Sequence, residues 1–373
     1  MPVCTAAIVE AVSNSYSIRI LLQDTGLFGG VKVMLLHADT LARLGHDVTV
    51  VSTAPTPDWC QLGVEFLQVD DLSCPSLPKV DIVVATYWET IEPAMLNRCN
   101  EVVHFCQGFE WDFSYNQPIR GTILDAYRSP IPAFVVSPHL GQRLDQDFFR
   151  PSRLVLQPLE RFWRPPLLER LRRVPKGPPF RILVPGPWEG DWKGVKTALH
   201  AIKEIRALPE GPEIRLIRLS QFPLGPEEES LLKPDEYHSH LTPTDVAALV
   251  CGCDLMLAPS WEQEGFGLPV LEAFACGVPV VASDVSSFRG FASQAAILVP
   301  PDDASAFAEA SRMVLKDFAQ WQRMRRAGFS IARHYDQAKV TRSLEKAVDW
   351  VGSGLWRREA TDAQTSDRDL EKR

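Results

Sequence analysis

The stretch that decides the fold is DLMLAPSWEQEGFGLPVLEAFACGVPVVASDVSSFRG, residues 254–290. The apolar run 255–258 predicts a buried parallel strand. A helix is predicted from Leu268, because a proline is tolerated in a first helical turn and apolar residues then recur at helical spacing. Gly277 is a stop signal for that helix, and 278–282 predicts the next strand. The stretch therefore predicts a strand, a glycine turn, a helix and a second strand.

The turn between this strand and this helix has the features of an anion-binding site. Gly265 and Gly267 have no Cβ, so a ligand can approach their backbone closely. The first N–H groups of a helix have no partner inside it, and the helix dipole favours a phosphate there by about 0.3–1 kcal/mol. Glu264 and Glu272 place two carboxylates beside the same turn. Carboxylates repel phosphate but accept hydrogen bonds from vicinal hydroxyls, so a sugar nucleotide is the expected ligand.

The pattern around these two carboxylates also resembles a known motif. Glu264 and Glu272 enclose seven residues, within EGFGLPVLEAFACGVPVVASD. This resembles the donor motif of retaining glycosyltransferases of family 4, which have the GT-B fold. The resemblance implies that Glu264 contacts the transferred sugar and Glu272 the ribose of the nucleotide; the alternative for Glu272 is a solvent-facing position on an amphipathic helix. The donor-binding residues implied in this stretch are Glu264, Gly265, Phe266, Gly267, Leu268 and Glu272.

The composition excludes several classes of protein. The 373 residues are enough for two domains, and 45% hydrophobic with 23% charged residues is typical of soluble globular proteins. A net charge of −8 argues against a nucleic-acid partner. No apolar run approaches the ~20 residues of a membrane span, and the N-terminus lacks the basic start of a signal peptide. With eight scattered cysteines, we expect a cytoplasmic protein with reduced thiols and at most peripheral membrane contact.

The N-terminal region predicts a βαβ unit. A strand over 17–22 leads into a glycine-rich turn, followed by a helix over 31–44 and a strand over 48–52. The turn lacks the GxGxxG pattern of dinucleotide-binding folds, which argues against a nicotinamide cofactor. The segment resembles the opening of family 4 transferases, which implies that Gly29 and Gly30 lie against the donor phosphates and the acceptor. The alternative is a plain tight turn.

The acceptor side is less defined by the sequence. In family relatives the strand that corresponds to 101–106 often ends in an active-site histidine, whereas here Cys106 or Gln107 takes that place. His104 lies inside the strand, where a core position is as consistent as a catalytic one. His104, Gln107 and Glu110 are therefore the acceptor-side candidates.

Aromatic residues cluster in the loops near this strand. Sugars stack on aromatic faces, so these residues can bind an acceptor, and packing within the loop is the equal alternative. The cluster comprises Trp88, Phe109, Trp111, Phe113 and Tyr115.

The middle of the chain predicts a domain boundary. A strand over 133–137 ends at Ser137, which is expected to cap a helix over 138–144. Residues 165–179 are rich in proline and arginine, as in a linker. The predicted domains are therefore an acceptor-binding domain at 1–170 and a sugar-nucleotide-binding domain at 171–340. A helix at 341–356 is expected to pack back on the first domain, and a tail at 357–373 to be disordered.

The second domain opens with a strand over 181–184 and a helix over 195–208, with Lys193 just before the helix. A lysine there suits a phosphate, because its ammonium is a compact charge at the positive end of a helix. The family usually has Gly-Arg before this lysine, but Pro187 stands where the arginine belongs. Arg218 and Arg289 are candidates to replace it. The Pro- and Glu-rich segment 221–232 is expected to be a loop.

Together these patterns predict an α/β protein with two Rossmann-like doubly wound domains that face a central cleft. The resemblance implies a hexosyl- or deoxyhexosyltransferase that moves a sugar from a nucleoside diphosphate sugar to a hydroxyl, with Glu264 and Lys193 as catalytic residues. It implies no metal and no cofactor, with the leaving phosphate assisting same-face attack. The acceptor class is a glycan, a lipid-linked glycan or a small metabolite. The alternatives are a transferase-like binding protein without turnover, or another GT-B enzyme such as an epimerase or a phosphorylase.

Overall fold

The computed structural model describes residues 14–171 and 174–359. Most of the predicted N-terminal extension and the predicted tail at 360–373 lie outside the described residues. Residues 357–359, where that tail was expected to begin, are helical.

Parallel strands alternate with helices along the chain, as the sequence predicts. The strands are β1 (Ser17–Leu22), β2 (Asp47–Ser52), β3 (Glu65–Gln68), β4 (Val80–Ala85), β5 (Cys99–Cys106), β6 (Ala133–Val135), β7 (Ser152–Leu154), β8 (Phe180–Pro185), β9 (Ile214–Ser220), β10 (Glu236–Ser239), β11 (Leu255–Ala258), β12 (Val280–Ser283) and β13 (Ala296–Val299). The helices are α1 (Gly29–Arg43), α2 (Trp88–Leu96), α3 (Arg120–Tyr127), α4 (Pro138–Phe148), α5 (Leu167–Arg170), α6 (Val195–Ala207), α7 (Pro226–Leu231), α8 (Pro243–Cys251), α9 (Leu268–Cys276), α10 (Ser286–Phe291), α11 (Ala304–Lys316), α12 (Phe318–Ala332) and α13 (Gln337–Gly352).

The chain divides into two compact units. Of the described residues, unit 1 contains 14–105, 129–134 and 344–359, and unit 2 contains 106–128 and 135–343 apart from 172–173. This division differs from the predicted boundary at residue 170, because the loop after β5 and the elements around α4 make most of their contacts within unit 2. The domain boundaries themselves stay predictions.

The first sheet has the strand order β3-β2-β1-β4-β5-β6-β7. The strands from β3 to β5 pair in parallel. The order runs outward in one direction from β1 and in the other from β4, so the direction of the winding reverses between these two strands. Ligands of open α/β sheets bind at such a switch point, beyond the carboxyl ends of the strands. Gly29 and Gly30 begin α1, the first helix after β1.

The second sheet repeats this topology, with the strand order β10-β9-β8-β11-β12-β13 and parallel pairing throughout. β8 lies beside β11, with Ile182 opposite Leu255 and Leu183 opposite Met256. The winding reverses between them, because β9 and β10 extend the sheet on one side and β12 and β13 on the other. The loops that follow β8 and β11 therefore leave the same edge of the sheet side by side.

The core of unit 2 lies between this sheet and two helices. The inward faces of β8, β9 and β11 are buried against α6 and α11. In α6 the apolar residues Ala198, Leu199, Ile202 and Ile205 are buried at helical spacing. The indole N–H of Trp321 in α12 donates to the carbonyl oxygen of Asp254 at 2.8 Å, which anchors the start of β11. The α/β class with two Rossmann-like parallel sheets is confirmed.

One predicted loop is wrong in part. Within the segment 221–232 the structure has the helix α7, Pro226–Leu231. Pro226 occupies the start of the helix and three glutamates follow in its first turn, which are two start signals that the proline- and glutamate-rich composition obscured.

Glu228 of α7 forms a buried ion pair with Arg218 of β9. The two side chains are 1% and 0% exposed, and Nε of Arg218 lies 2.5 Å from the carboxylate. The guanidinium also donates to the carbonyl oxygens of Val184 and Gly186, the latter at 2.9 Å. Arg218 thus fixes the turn after β8 from inside the protein.

We expect Arg218→Met to destabilise unit 2 by about 3–5 kcal/mol, because it leaves the Glu228 carboxylate buried without its partner. The double variant Arg218→Met/Glu228→Leu should recover at least half of that loss, since it removes both charges together. Urea unfolding followed by tryptophan fluorescence measures both changes. Arg215→Met, at an exposed position of the same strand, is the control. Equal losses in the single and the double variant would contradict the account.

Candidate functional site

The loops after β8 and β11 bring a lysine and a glutamate together. Lys193 ends the 3-10 turn Asp191–Lys193, and Glu264 lies in the turn before α9. Nζ of Lys193 donates to Oε2 of Glu264 at 2.7 Å. The side chains are 24% and 11% exposed, so the pair is largely shielded from solvent.

Gly194 holds the two loops in backbone contact. Its φ of +62° is in the left-handed region, which glycine adopts without strain. A Cβ at this position would lie 2.0 Å from the carbonyl oxygen of Pro259, far inside van der Waals contact. The N–H of Trp261 also donates to the carbonyl oxygen of Trp192 at 2.7 Å. The position of the ion pair is therefore set by main-chain contacts rather than by flexible side chains.

Glu264 is held as a carboxylate. Burial alone would raise its pKa, but the Lys193 ammonium outweighs that effect together with hydrogen bonds from the Ser260 hydroxyl and the Phe266 N–H. The Ser260 bond measures 2.9 Å to the same oxygen, Oε2, that Lys193 contacts. The pKa of Glu264 is consequently lowered, and the group is ionised at neutral pH as an acceptor of hydrogen bonds.

The glycines of this turn are required by close approach. A Cβ on Gly265 would lie 1.8 Å from the carbonyl oxygen of Gln107, so the turn passes directly against the loop that follows β5. Gly267 caps α9 with a φ of +96°, and a Cβ there would collide with the ring of Phe288. Pro269 follows in the first turn of the helix, as predicted.

The remaining donor candidates differ in what they offer. The ring of Phe266 is buried and stacks on Phe291 at 4.5 Å, so this residue can serve a donor only through its backbone. Leu268 is the first residue of α9 and is partly buried. Glu272 is the fifth residue of α9 and also partly buried. Gly29 and Gly30 belong to unit 1, and their roles, like those of the other candidates, stay predictions.

The acceptor-side candidates occupy three different environments. His104 is fully buried within β5, which agrees with the alternative of a core histidine. Gln107 is partly exposed, and its carbonyl oxygen faces Gly265. Glu110 is 6% exposed and accepts a short hydrogen bond from the hydroxyl of Tyr127.

Glu110 belongs to a buried network that shapes the loop after β5. The Tyr127 hydroxyl also lies 3.0 Å from the carbonyl oxygen of Gly108, and the Cys106 thiol lies 3.3 Å from that oxygen. Burial raises the pKa of Glu110 to about 7, although the bond to Tyr127 lowers it. These contacts indicate that Glu110 stabilises the loop rather than contacting a substrate directly.

The two arginines considered as replacements for the family's arginine are both engaged. Arg218 is fully buried in the ion pair described above. Arg289 bonds Asp284 at 2.6 Å through its side chain and the Asp284 carbonyl oxygen at 2.7 Å, on an exposed part of α10. Arg218 therefore has a structural role in the interior. From the sequence alone it could not be distinguished from a cation on the surface.

The predicted aromatic cluster separates into two groups. Phe109 and Trp111 are 4% and 1% exposed and pack with Tyr127 in the interior. Phe113 and Tyr115 instead lie against Trp192, next to Lys193, with ring centroids 4.6 and 5.9 Å from that indole. Trp88 packs near Tyr87 in unit 1.

Sequence reasoning assigned Ser137 to the wrong partner. It occupies the N-cap position of α4, but its side chain makes no capping hydrogen bond. The hydroxyl donates instead to the carbonyl oxygen of Gly265 at 2.7 Å, 128 residues along the chain. It also lies 3.0 Å from Nδ1 of His139. A histidine two residues after a strand end was the only signal for His139, and sequence reasoning overlooked it.

Two further features bear on the chemistry. Within 14–171 and 174–359, no group of three or more His, Cys, Asp or Glu side chains is arranged to hold a metal ion. In the same part of the chain no helix combines the length and apolarity needed to cross a membrane.

Solved structures show which class of fold this is. HepE of Anabaena, in complex with UDP and glucose, matches with a TM-score of 0.69 at 15% identity, covering 90% of this chain and 99% of that chain. Sucrose-phosphate synthase from Thermosynechococcus elongatus matches with a TM-score of 0.65 at 17% identity, covering 95% of this chain and 99% of that chain. The fold of the chain is the GT-B fold of two Rossmann-like domains.

Residues 179–317 of the chain are similar to the family of glycosyl transferases group 1. The phosphatidyl-myo-inositol mannosyltransferase of Mycobacterium leprae is 26% identical over 175 residues, 46% of this chain and 47% of the relative. The chain thus matches about half the length of that curated relative.

The raised pKa of Glu110 predicts how the stability of the protein depends on pH. Its pKa of about 7 in the folded protein lies above the ordinary value of 4.5, so the stability it contributes is complete below pH 4.5 and is lost as pH rises through 7. As pH rises across this window, the free energy of unfolding of Glu110→Gln should therefore increase relative to that of the wild type, by on the order of 3 kcal/mol at most. Thermal melting from pH 4.5 to 8 measures the difference. A constant difference between the two proteins would contradict the burial of this group.

Proposed function

We propose that the protein is a retaining glycosyltransferase that moves a sugar from a nucleoside diphosphate sugar to a hydroxyl of an acceptor. The observation that carries the proposal is the Lys193–Glu264 pair at the start of α9, where the winding of the second sheet reverses. A cation and a helix N-terminus suit a diphosphate, and a carboxylate suits the hydroxyls of a sugar. The similarity of residues 179–317 to the group 1 glycosyl transferases supports the same assignment.

In the proposed reaction the diphosphate binds to Lys193 and the N-terminus of α9. The acceptor oxygen forms a bond to the anomeric carbon on the face from which the diphosphate departs. The bond between that carbon and the diphosphate oxygen breaks, and the departing phosphate takes the proton of the acceptor hydroxyl. Lys193 and the helix stabilise the charge that grows on the phosphate. Glu264 orients the transferred sugar through its hydroxyls.

The loss of the expected arginine beside Lys193 distinguishes this site from the pattern that the family resemblance implies. Pro187 stands in place of the expected arginine, and Arg218 is committed to the interior. Lys193 therefore supplies the main positive side chain for the diphosphate in this proposal. We expect a donor affinity that depends strongly on Lys193 and on ionic strength.

The relatives support the substrate classes that we propose. HepE was solved with UDP and glucose, and the mycobacterial relative is named as a mannosyltransferase of phosphatidyl-myo-inositol. For this chain we propose a hexosyl or deoxyhexosyl donor linked to a nucleoside diphosphate, and an acceptor that is a glycan, a lipid-linked glycan or a small metabolite. We further propose that the reaction needs no metal ion and no cofactor.

A donor screen tests the proposal. Melting temperatures are measured with the diphosphate sugars of uridine, guanosine, adenosine and thymidine, and the best donor is then assayed for hydrolysis and transfer to methyl α-mannopyranoside and myo-inositol. Transfer that survives EDTA is the expected result. Donor binding without any turnover would identify a binding protein, whereas epimerised donor or a requirement for inorganic phosphate would identify another GT-B enzyme.

We expect Glu264→Gln to lower kcat more than tenfold, because the neutral amide is a weaker acceptor for the sugar hydroxyls and no longer balances the Lys193 charge. Steady-state transfer assays measure the change. Glu262→Gln is the control, since Glu262 is an exposed residue of the same turn that binds the N–H of Ser286 at 3.1 Å. Turnover near the wild-type value in Glu264→Gln would remove this residue from the mechanism.

We expect Glu272→Ala to weaken nucleotide binding about tenfold, because the variant loses a charge-assisted hydrogen bond to the ribose. Titration calorimetry with the nucleoside diphosphate alone measures this affinity, which excludes effects on the sugar. Glu309→Ala, on the exposed face of α11, is the control. An unchanged affinity would support the solvent-facing alternative for Glu272.

A further inference from the structure

A histidine beside the Glu264 turn has one ring nitrogen fixed by a defined partner. Ser137 ends the segment after β6, and His139 is the second residue of α4. The Ser137 hydroxyl lies 2.7 Å from the carbonyl oxygen of Gly265 and 3.0 Å from Nδ1 of His139. The three residues connect the start of α4 to the turn that carries Glu264.

The hydrogen bonds determine which nitrogen of the ring carries the proton. A carbonyl oxygen can only accept, so the single hydroxyl proton of Ser137 is donated to Gly265. The hydroxyl oxygen must then accept from Nδ1 of His139, which places the proton of the neutral ring on Nδ1. Nε2 is left with a lone pair.

That lone pair is available to a ligand. Across the described part of the chain, Nε2 of His139 makes no hydrogen bond, and the ring is partly exposed. Burial and Arg143 lower the pKa of the ring, while Glu262 and Glu264 raise it, and the balance lies below the ordinary value. The Glu264 charge is itself balanced by Lys193. The ring is therefore neutral at pH 7 and accepts hydrogen bonds through Nε2.

A neutral nitrogen that accepts hydrogen bonds distinguishes the hydroxyl groups of the proposed substrates from the diphosphate. It has no attraction for a diphosphate, but it accepts a hydrogen bond from an O–H group. In the proposed function Lys193 and Glu264, which follow β8 and β11, hold the donor. The donor-side candidates of the first sheet, Gly29 and Gly30, follow β1, whereas His139 follows β6. The hydroxyl that it meets is thus expected to belong to the other substrate.

We propose that His139 is an acceptor-binding residue, whose Nε2 accepts a hydrogen bond from a hydroxyl of the acceptor, and that Ser137 is the positioning residue that fixes its tautomer. This inference rests on the proposed function and names a residue for the acceptor side, where the sequence offered His104, Gln107 and Glu110.

A matched pair of variants separates binding from structure. In His139→Gln the side-chain amide reaches the position of Nε2 and can still accept a hydrogen bond. In His139→Asn the amide reaches only the position of Nδ1, so it can keep the contact with Ser137 but offers nothing at Nε2. We expect the asparagine variant to raise the KM for the acceptor at least tenfold and the glutamine variant to raise it less than threefold. The KM for the donor should change in neither.

The assays use methyl α-mannopyranoside or myo-inositol, whichever accepts the sugar from the best donor, and donor hydrolysis without acceptor is measured alongside. For the wild type, the acceptor KM should rise as pH falls through the pKa of the ring, which burial holds below its ordinary value, because protonation turns Nε2 into a donor. In His139→Gln that rise should be absent. His334→Gln is the control, at an exposed histidine whose Nδ1 lies 2.9 Å from the carbonyl oxygen of Ser330.

NMR of histidine side chains labelled with 15N gives a readout independent of turnover, with the His139 signals assigned from their loss in the glutamine variant. The expected neutral form has its proton on Nδ1, and Ser137→Ala should shift the ring towards the other tautomer.

A proton on Nε2 in the wild type would overturn the inference, as would an asparagine variant that binds acceptor better than the glutamine variant. If the wild type binds no donor at all, the proposed function fails first. Normal donor hydrolysis with unaltered acceptor kinetics in both variants would refute the role of His139 alone.

Discussion

The pairing of β8 with β11 is the constraint on which the candidate site depends. Two strands that are 70 residues apart in sequence become neighbours in a parallel sheet, so their following loops leave the same edge together. Gly194 then allows one loop to touch the other, since a side chain there would collide with the Pro259 carbonyl. The contact between Lys193 and Glu264 is a consequence of these main-chain arrangements.

The electrostatics of the site follow from that geometry. Glu264 is only 11% exposed, and burial raises its pKa, whereas the Lys193 ammonium within hydrogen-bonding distance lowers it. Lys193 keeps the group ionised and retains further N–H donors for a ligand. The Gly265 carbonyl oxygen of the same turn accepts a hydrogen bond from the Ser137 hydroxyl, which also contacts His139 and so links this histidine to the turn that carries the carboxylate. A cation, a carboxylate and a neutral base are thus held together by backbone groups.

The sequence predicted the features that depend on local patterns. The start of α9 at Leu268, its stop at Gly277 and the two parallel sheets follow from spacing and from turn residues. Contacts across long sequence distances were less accessible. Ser137 satisfies the pattern of a helix cap, yet its hydroxyl bonds a carbonyl 128 residues away. Arg218 was a plausible anion-binding residue until the fold placed it beside Glu228 in the interior, because a strand residue's burial depends on which helix covers it.

The most direct test is a crystal structure of the protein with UDP-glucose or GDP-mannose, whichever raises the melting temperature more. The account predicts a β-phosphate oxygen within about 3 Å of Nζ of Lys193 and at the N-terminus of α9, with sugar hydroxyls at Glu264. A diphosphate bound elsewhere, with the Lys193–Glu264 pair facing only solvent, would contradict it.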